Sequence, residues 1–364
     1  MADTAFGTND SLTVKLWRRG LFHEALNETW FQKFIGEGSD SMIQLLTETQ
    51  KQSGDRIRVG LRMQLTGAGI QGNGTLEGNE ESLTTYSDDL LINYLKHAVR
   101  WDASISQQRV AFELREEAMM GLKDWWADRF DTAVMNQLTG NTGQADTRYT
   151  GNNATVAPTA TTRIITAGPN LDNTEASLSA TTTFSLNFRE IDRCVAIART
   201  GTVGTTPPIR PLKINGDSYY VMFIHPYQTY QLRRDTTTNN FMDIARQSLA
   251  GALQQGKAAI FDGALGIYNK VILHESNRIP IITGTPNSGA ANAFRRAVFC
   301  GAQAAAIAFG KKSSKDDEME WVEQKFDYED KIGVKGASTF GVKKMVFNST
   351  DFATIAVSGY APTV

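Results

Sequence analysis

Residues 55–65 dictate an extended strand with two unlike faces. Ile57, Val59, Leu61, Met63 and Leu65 alternate with Arg56, Arg58, Gly60, Arg62 and Gln64. A period of two puts the first set on an apolar face and the second on a cationic one. Gly67, Gly69, Gly72, Gly74 and Gly78 follow, and the chain turns acidic at Glu77, Glu80 and Glu81. A second extended stretch spans Tyr86 to Trp101. Two strands around a glycine-rich tip predict a long hairpin. At ~3.3 Å per residue each arm would reach about 40 Å.

A long helical pattern follows. Ser104 and Gln107 have the spacing of a capping box, and Gly140 is a natural stop. Between them Ala111, Leu114, Ala118, Leu122, Trp125, Trp126, Phe130, Val134 and Leu138 recur at three- and four-residue steps. About 36 residues would make a rod of roughly 54 Å, whereas a compact chain of this length has a radius of gyration of about 21 Å. One helix spanning the molecule and a long hairpin leading into it imply an extended subunit that completes its packing with neighbours.

Composition narrows the function. The 364 residues carry 37 basic and 39 acidic side chains, a net charge of −2. No bulk charge therefore recruits nucleic acid or an anionic membrane. Cys194 and Cys300 lie far apart and form no disulfide framework, as in a reducing compartment. The acidic start lacks an apolar signal core. The longest nearly apolar run, Ala297 to Gly310, is shorter than the ~20 residues of a membrane span. These features predict a soluble protein made in the cytoplasm.

Residues 1–50 read as an arm in which Trp17, Phe22, Trp30, Phe31 and Phe34 mix with Arg18 and Arg19. An amphipathic segment docking on an apolar surface explains that mixture more simply than nucleic-acid stacking. Residues 141–186 contain 12 threonines in 46 positions, which predicts a surface loop with one strand near Arg163–Ala167. From Asn187 the pattern turns α/β. Phe188, Ile191, Val195 and Ala198 mark a helix, and Tyr219–His225 a strand stopped by Pro226. A helix is expected at 241–253 and core elements at Ile260–Glu275 and Ala297–Phe309. After the charged break Lys311–Glu320, strands are expected near 321–328, 339–348 and 353–358.

No catalytic constellation emerges. Gly67-x-Gly69-x-x-Gly72 has the spacing of a dinucleotide fingerprint, with Asp88 and Asp89 about 20 residues on. The chemistry also needs a helix N-terminus directly after the glycines. Here the run continues Asn73-Gly74-Thr75-Leu76-Glu77-Gly78, which disfavours a helix, so a hairpin tip is the better reading. His23, His97, His225 and His274 sit at no metal-ligand spacing with either cysteine. Gly310-Lys311-Lys312-Ser313 lacks the upstream glycine of a phosphate loop. The acidic groups at Asp88–Asp89, Glu116–Glu117 and Asp316–Glu318 read as solvated charge. In the Trp125-Trp126 pair, one ring is expected to face the core and the other a flank. Neither cofactor nor metal is expected.

The arm Leu16-Trp17-Arg18-Arg19-Gly20-Leu21-Phe22-His23-Glu24-Ala25 and Lys33-Phe34-Ile35-Gly36 carry a family resemblance. It continues in Gly54-Asp55-Arg56-Ile57, Leu65-Thr66-Gly67-Ala68-Gly69-Ile70-Gln71-Gly72 and Leu76-Glu77-Gly78-Asn79-Glu80-Glu81. Gln108-Arg109, Leu114-Arg115-Glu116-Glu117-Ala118, Phe261-Asp262-Gly263-Ala264-Leu265-Gly266 and Gly301-Ala302-Gln303-Ala304 complete it. With these runs the chain resembles the tailed-phage major capsid proteins of the coliphage N-four type; the 141–186 insertion does not align.

The resemblance implies an α+β Hong Kong 97-like fold. It would comprise an N-terminal arm (1–50), an extended hairpin loop (51–103), the spine helix of a peripheral domain (104–140), the insertion (141–186), an axial domain (187–312) and returning peripheral strands (313–364). The implied function is self-assembly through hexameric and pentameric capsomers into an icosahedral head around double-stranded DNA, with no enzymatic activity. A tail or decoration component is the nearer alternative, and a nucleotide-binding oxidoreductase the remoter one.

Implied partners are copies of the chain, a portal, and scaffolding or decoration proteins. DNA would be held by confinement, and no membrane is involved. The expected location is the virion, after synthesis in the bacterial cytoplasm. Trp17, Arg56, Arg58, Arg62, Leu76, Glu77, Glu80 and Glu81 are the expected inter-subunit contacts. The hairpin's cationic face would meet a neighbour's carboxylates and its apolar face the neighbour's core edge, while tip glycines let the loop change angle.

Overall fold

The computed structural model describes residues 30–46, 55–63, 65, 67–102, 113–159, 162–169, 172–201, 206–214, 216–234, 264–282, 294–310, 319–328 and 330–362. Trp17, His23, the Ser104–Gln107 box, Gln108-Arg109, the helix expected at 241–253 and Asp316–Glu318 lie outside them.

The long helix is Leu114–Thr139, 26 residues, or about 39 Å. Among the described residues that is shorter than the expected rod, because the backbone at Glu113 is extended. Its end is where the sequence puts it. Gly140 takes φ 60 and donates its N–H to the Asn136 and Gln137 carbonyls, a left-handed cap that glycine adopts without strain. The N-terminal half buries one stripe, Ala118, Leu122 and Trp126, while almost every residue from Arg129 to Thr139 is buried. Trp126 packs inward against Phe340, and Trp125 faces a flank, stacked on His97 with ring centroids 4.5 Å apart.

Two sheets flank this helix. One orders Ile35–Gly36, Ile43–Leu46, Ala305–Gly310, Lys331–Lys344 and Met319–Phe326, with Asn93–Asp102 also paired to Lys331–Lys344. The other, seven-stranded, orders Ile164–Thr166, Thr354–Tyr360, Phe294–Cys300, Asp217–Ile224, Val271–Glu275 and Ala264–Tyr268, with Leu212–Ile214 paired to Asp217–Ile224. Strand 305–310 thus pairs with 331–344, and 354–360 pairs with 294–300. The boundary expected at 312 therefore separates strands that share sheets. One continuous core joins Trp126, Val134 and Leu138 of the helix to Ile307 and Phe340 of the first sheet and Phe223, Phe299 and Ile355 of the second. The helix Phe188–Thr200 closes this core with Ile191, Cys194 and Val195, and opens on a capping box between Asn187 and Glu190.

The threonine-rich segment is a surface loop only in part: residues 141–149 are mostly exposed, while the strand expected near Arg163–Ala167 is present inside the fold. Ile164–Thr166 is a fully buried strand parallel to Thr354–Tyr360, and Thr150, Asn152, Asn153 and Arg163 are buried as well. These residues bury polar groups that find backbone partners, which is how a sequence poor in large apolar side chains enters a core. Gln137 on the helix donates to the Thr150 and Asn153 carbonyls at 2.7 and 2.9 Å. Arg163 donates to the carbonyls of Asp351 and Pro207 at 3.0 and 2.8 Å. Beside it Lys344 and Asp351 form a buried pair at 2.9 Å. Burial pushes the ammonium down and the carboxyl up, and the contact between them offsets that cost.

Two buried histidines make stability depend on pH. His225 and His274 are pushed from the usual 6.5 to about 4, chiefly by burial and further by Arg295 and Lys33 respectively. Both are neutral in the folded chain, whereas the unfolded chain takes up protons near pH 6.5. Stability is therefore full above about pH 6.5 and lost as pH falls toward about 4, by up to ~1.4 kcal/mol per pH unit per histidine. Urea midpoints of the free subunit between pH 7 and 5 should fall accordingly, and His274→Gln should flatten the slope. A midpoint constant over that range would refute this.

Candidate interaction surface

The hairpin is shorter than expected and divides its second arm between two partners. Arg56–Arg62 pairs antiparallel with Thr85–Leu91 over seven residues, about 23 Å. At Ile92, whose N–H donates to the Asp55 carbonyl at 2.9 Å, the ladder ends. Asn93–Asp102 then zips onto Lys331–Lys344. The Tyr86–Trp101 stretch is thus two strands.

The predicted alternation holds in the first strand, with Ile57 buried and Arg56, Arg58 and Arg62 exposed. Its apolar face, however, packs on its own subunit. Ile57 and Leu90 join Leu46, Ile92, Ala306, Ala308, Met345 and Phe347 in a second core cluster, with Val59, Leu61 and Tyr86 against it. This corrects the expectation that the face covers a neighbour's edge. A cleft of about 110 Å³ remains where Leu61, Met63 and Tyr86 meet Phe347 and Phe352, well below the ~300 Å³ of ordinary ligand pockets.

On the cationic face Arg58 is already engaged. Its Nε and Nη2 donate to Asp89 Oδ1 and Oδ2 at 2.7 and 3.0 Å, which holds the Asp89 carboxyl below its ordinary range. The ladder places the two residues directly opposite each other. Asp88 is not solvated charge either. It accepts from Lys343 Nζ and from the Val346 N–H, with only 12% of its side chain exposed. Asn153 fastens the hairpin root like a strand end. It accepts the Leu91 N–H at 2.9 Å and donates to the carbonyls of Leu91, Val342 and Gly151. Counting the hairpin register from the sequence would have found Arg58–Asp89; no local signal marks Asn153.

Beyond this rigid root lies the tip. From Gly67 to Thr84 every residue is exposed and none belongs to a helix or strand. Gly69, Gly72 and Gly78 adopt positive φ. No helix follows the Gly67–Gly72 spacing, so the backbone amides that a pyrophosphate needs are not assembled there. Leu76 is 63% exposed, Leu83 61% and Leu65 54%, with Ile70 also open. Glu77 is exposed beside them, while Glu80 and Glu81 accept the backbone N–H groups of Gly78 and Gly67. The structure thus gathers Leu76, Glu77, Glu80 and Glu81 at the tip and leaves Arg56, Arg58 and Arg62 on the stalk.

No group of three or more metal-ligating side chains occurs among the described residues. Cys194 and Cys300 are fully buried, and burial raises both thiols well above their ordinary range, which leaves them unreactive. What the described residues show is a braced stalk ending in an exposed loop that carries Ile70, Leu76 and Leu83.

Known proteins resemble this chain over nearly its whole length. A family model described as phage capsid protein matches residues 5–363. The chain is 25% identical to the major capsid protein of Pseudomonas phage KPP25, over 96% of this chain and 95% of that one. Among solved structures it resembles the capsid of Ralstonia phage GP4, with a TM-score of 0.79, 26% identity, and 100% and 99% of the two chains covered. It also resembles the cyanophage Pam1 capsid, with a TM-score of 0.74, 18% identity and 99% of each chain covered. The fold is the α+β Hong Kong 97-like fold expected from the sequence.

Proposed function

The chain belongs to the phage capsid protein family, and from that premise we propose that its hairpin tip is the contact by which one subunit grips the next in the head. The chain is a major capsid protein. It is a structural component of the virion, not an enzyme, and joins copies of itself into an icosahedral shell. The observation that carries the tip reading is the exposure of Leu65, Leu76 and Leu83 at the end of a braced stalk. Isolated exposed leucines are common, but several together in one protruding loop mark a contact surface.

Of the expected contacts, Leu76 and Glu77 fit a direct role best. Arg56 and Arg62 are open for a neighbour's carboxylates, and each such rim pair contributes only ~0–1 kcal/mol. Apolar burial at the tip therefore supplies most of the joint, and repetition over many copies stabilises the shell. Trp17 is assigned to the arm contact on the resemblance alone. The residue runs shared with the coliphage N-four type support placing the chain in that branch. On the same ground we assign the arm, extended loop, spine helix, axial and peripheral roles, with the axial and peripheral parts sharing both sheets. Synthesis in the host cytoplasm, a portal, and scaffolding or decoration proteins complete the scheme. A net charge of −2 suits a container that must release its DNA.

The test uses the tip's own sequence. Residues 63–84 contain no lysine or arginine but carry Glu77, Glu80 and Glu81. A glutamate-specific protease should cut the free subunit there and spare the same loop in assembled shells. Equal cleavage in both states would remove the tip from the interface.

A further inference from the structure

The tip is long, exposed and without regular structure, which ordinarily leaves a loop spread over many conformations. Its internal bonds oppose that. The Gly67 N–H donates to Glu81 Oε2 at 2.6 Å, closing the loop across 14 positions. Within the closed segment the Gly78 N–H donates to Glu80 Oε2 at 2.8 Å, and Asn79 Nδ2 donates to the Thr75 carbonyl at 3.1 Å. The Asn79 N–H meets the Leu76 carbonyl at 3.0 Å, and the Gly74 N–H meets that of Gln71 at 3.4 Å. Below the clasp the Met63 N–H meets the Thr84 carbonyl at 3.0 Å, extending the hairpin ladder to the loop's base.

A carboxylate accepting a backbone N–H makes one of the stronger hydrogen bonds available at a surface. A Cβ on Gly67 would lie 2.7 Å from Glu81 Oε2, so a side chain there would make the Glu81 carboxylate shift. Two of the three tip carboxylates thus act on the loop itself. Among the side chains the folded loop turns outward are four large apolar ones, Leu65, Ile70, Leu76 and Leu83, beside polar ones such as Gln71, Asn73 and Glu77.

We propose that Glu81 is a positioning residue for assembly. By accepting the Gly67 N–H it closes the tip into one shape before contact, and that shape presents the apolar side chains to a second copy of this chain. Its role is that of a hydrogen-bond acceptor and not of a charge paired across the interface. A pre-closed loop loses less conformational freedom on docking, which strengthens the contact without adding to it. The occupant is a second copy because the chain belongs to a capsid protein family and the tip lies at the end of a stalk anchored to its own body. This inference rests on the reading of the tip as an inter-subunit contact.

The two roles separate in one comparison. Glu81→Gln keeps an acceptor oxygen and removes the charge; Glu81→Ala removes both. With full-length protein, shell yield would be read by gradient sedimentation and electron microscopy, and the melting temperature of free subunits checked alongside. Glu81→Gln, which keeps a neutral and weaker acceptor, should assemble within about fourfold of the parent, and Glu81→Ala should lose about tenfold or more, as expected when the whole hydrogen bond is lost. Free-subunit melting should be unchanged in both, since the loop packs on no core. Chymotrypsin should cut the tip of free Glu81→Ala faster than that of Glu81→Gln. If Gln impairs assembly as much as Ala, the carboxylate acts by charge and the proposal is overturned. Normal assembly of Glu81→Ala also overturns it while leaving the tip contact standing. Failure of the tip contact itself would show separately, as normal shells from a chain lacking the loop.

Discussion

Replacing Arg296 by methionine should destabilise the free subunit by about 3–5 kcal/mol, the range for removing one partner of a buried ion pair. Arg296 sits on the strand Phe294–Cys300 and reaches three parts of the fold at once. Its Nε and Nη2 donate to the two oxygens of Glu175 at 2.6 and 2.7 Å, and both side chains are only 11% exposed. Its Nη1 donates to the carbonyls of Thr139 and Gly140 at 3.2 and 2.8 Å. Those carbonyls close the long helix, where a cation also meets the negative end of the helix dipole. Ser358 on the neighbouring strand donates to Glu175 as well. Methionine fills the space but leaves the Glu175 carboxylate with Ser358 as its remaining donor and takes the Arg296 donor from the two carbonyls. Urea unfolding of the free subunit should show the loss as a lower midpoint. Adding Glu175→Leu should recover much of it, since the lone carboxylate is then gone. A loss below about 1 kcal/mol for Arg296→Met would mean that the pair is solvated and not structural.

Deleting residues 67–81 should have the larger functional effect and the smaller structural one. The segment lies wholly outside the core, and its root is held by the ladder, by Asn153 and by Asp88–Lys343. The deleted subunit should therefore remain soluble and keep its circular dichroism and melting temperature. Closed particles of uniform diameter should vanish from electron micrographs, leaving free subunits or small oligomers. Normal shells from this chain would rule out the tip as the grip between subunits.

The hairpin shows how far the sequence could be read. Alternation of Arg56, Arg58 and Arg62 with Ile57, Val59 and Leu61 was enough to orient the strand, because a period of two admits only two faces. Which surface the apolar face covers was not legible. Leu46, Ala306, Met345 and Phe347 come to it from distant segments, and no local pattern announces them. The end of the second arm at Ile92 was hidden for a similar reason. Residues on either side alternate alike, and only the partners, Arg56–Arg62 before and Lys331–Lys344 after, distinguish them.

The threonine-rich segment is the sharper lesson. Composition argued that it could not bury much apolar surface; besides a few apolar side chains such as Ile164, Ile165 and Leu186, it buries the polar Thr150, Asn152, Asn153 and Arg163. Asn153 satisfies backbone groups of Leu91 and Val342, 62 and 189 positions away, and Glu175 waits for an arginine 121 positions on. Such partners are invisible to any window of sequence.

By itself, then, the sequence determined the local elements: the two-faced strand, the glycine tip, the helix stop at Gly140 and the helix start at Asn187. Each follows from backbone preference or short-range periodicity, which act within a few residues. The tertiary structure alone decided which of the charges are paired within the subunit. Arg58 and Glu81 look like interface charges in the sequence, but Asp89 and the Gly67 amide take them. Pairing depends on distances in the fold that sequence separation does not encode.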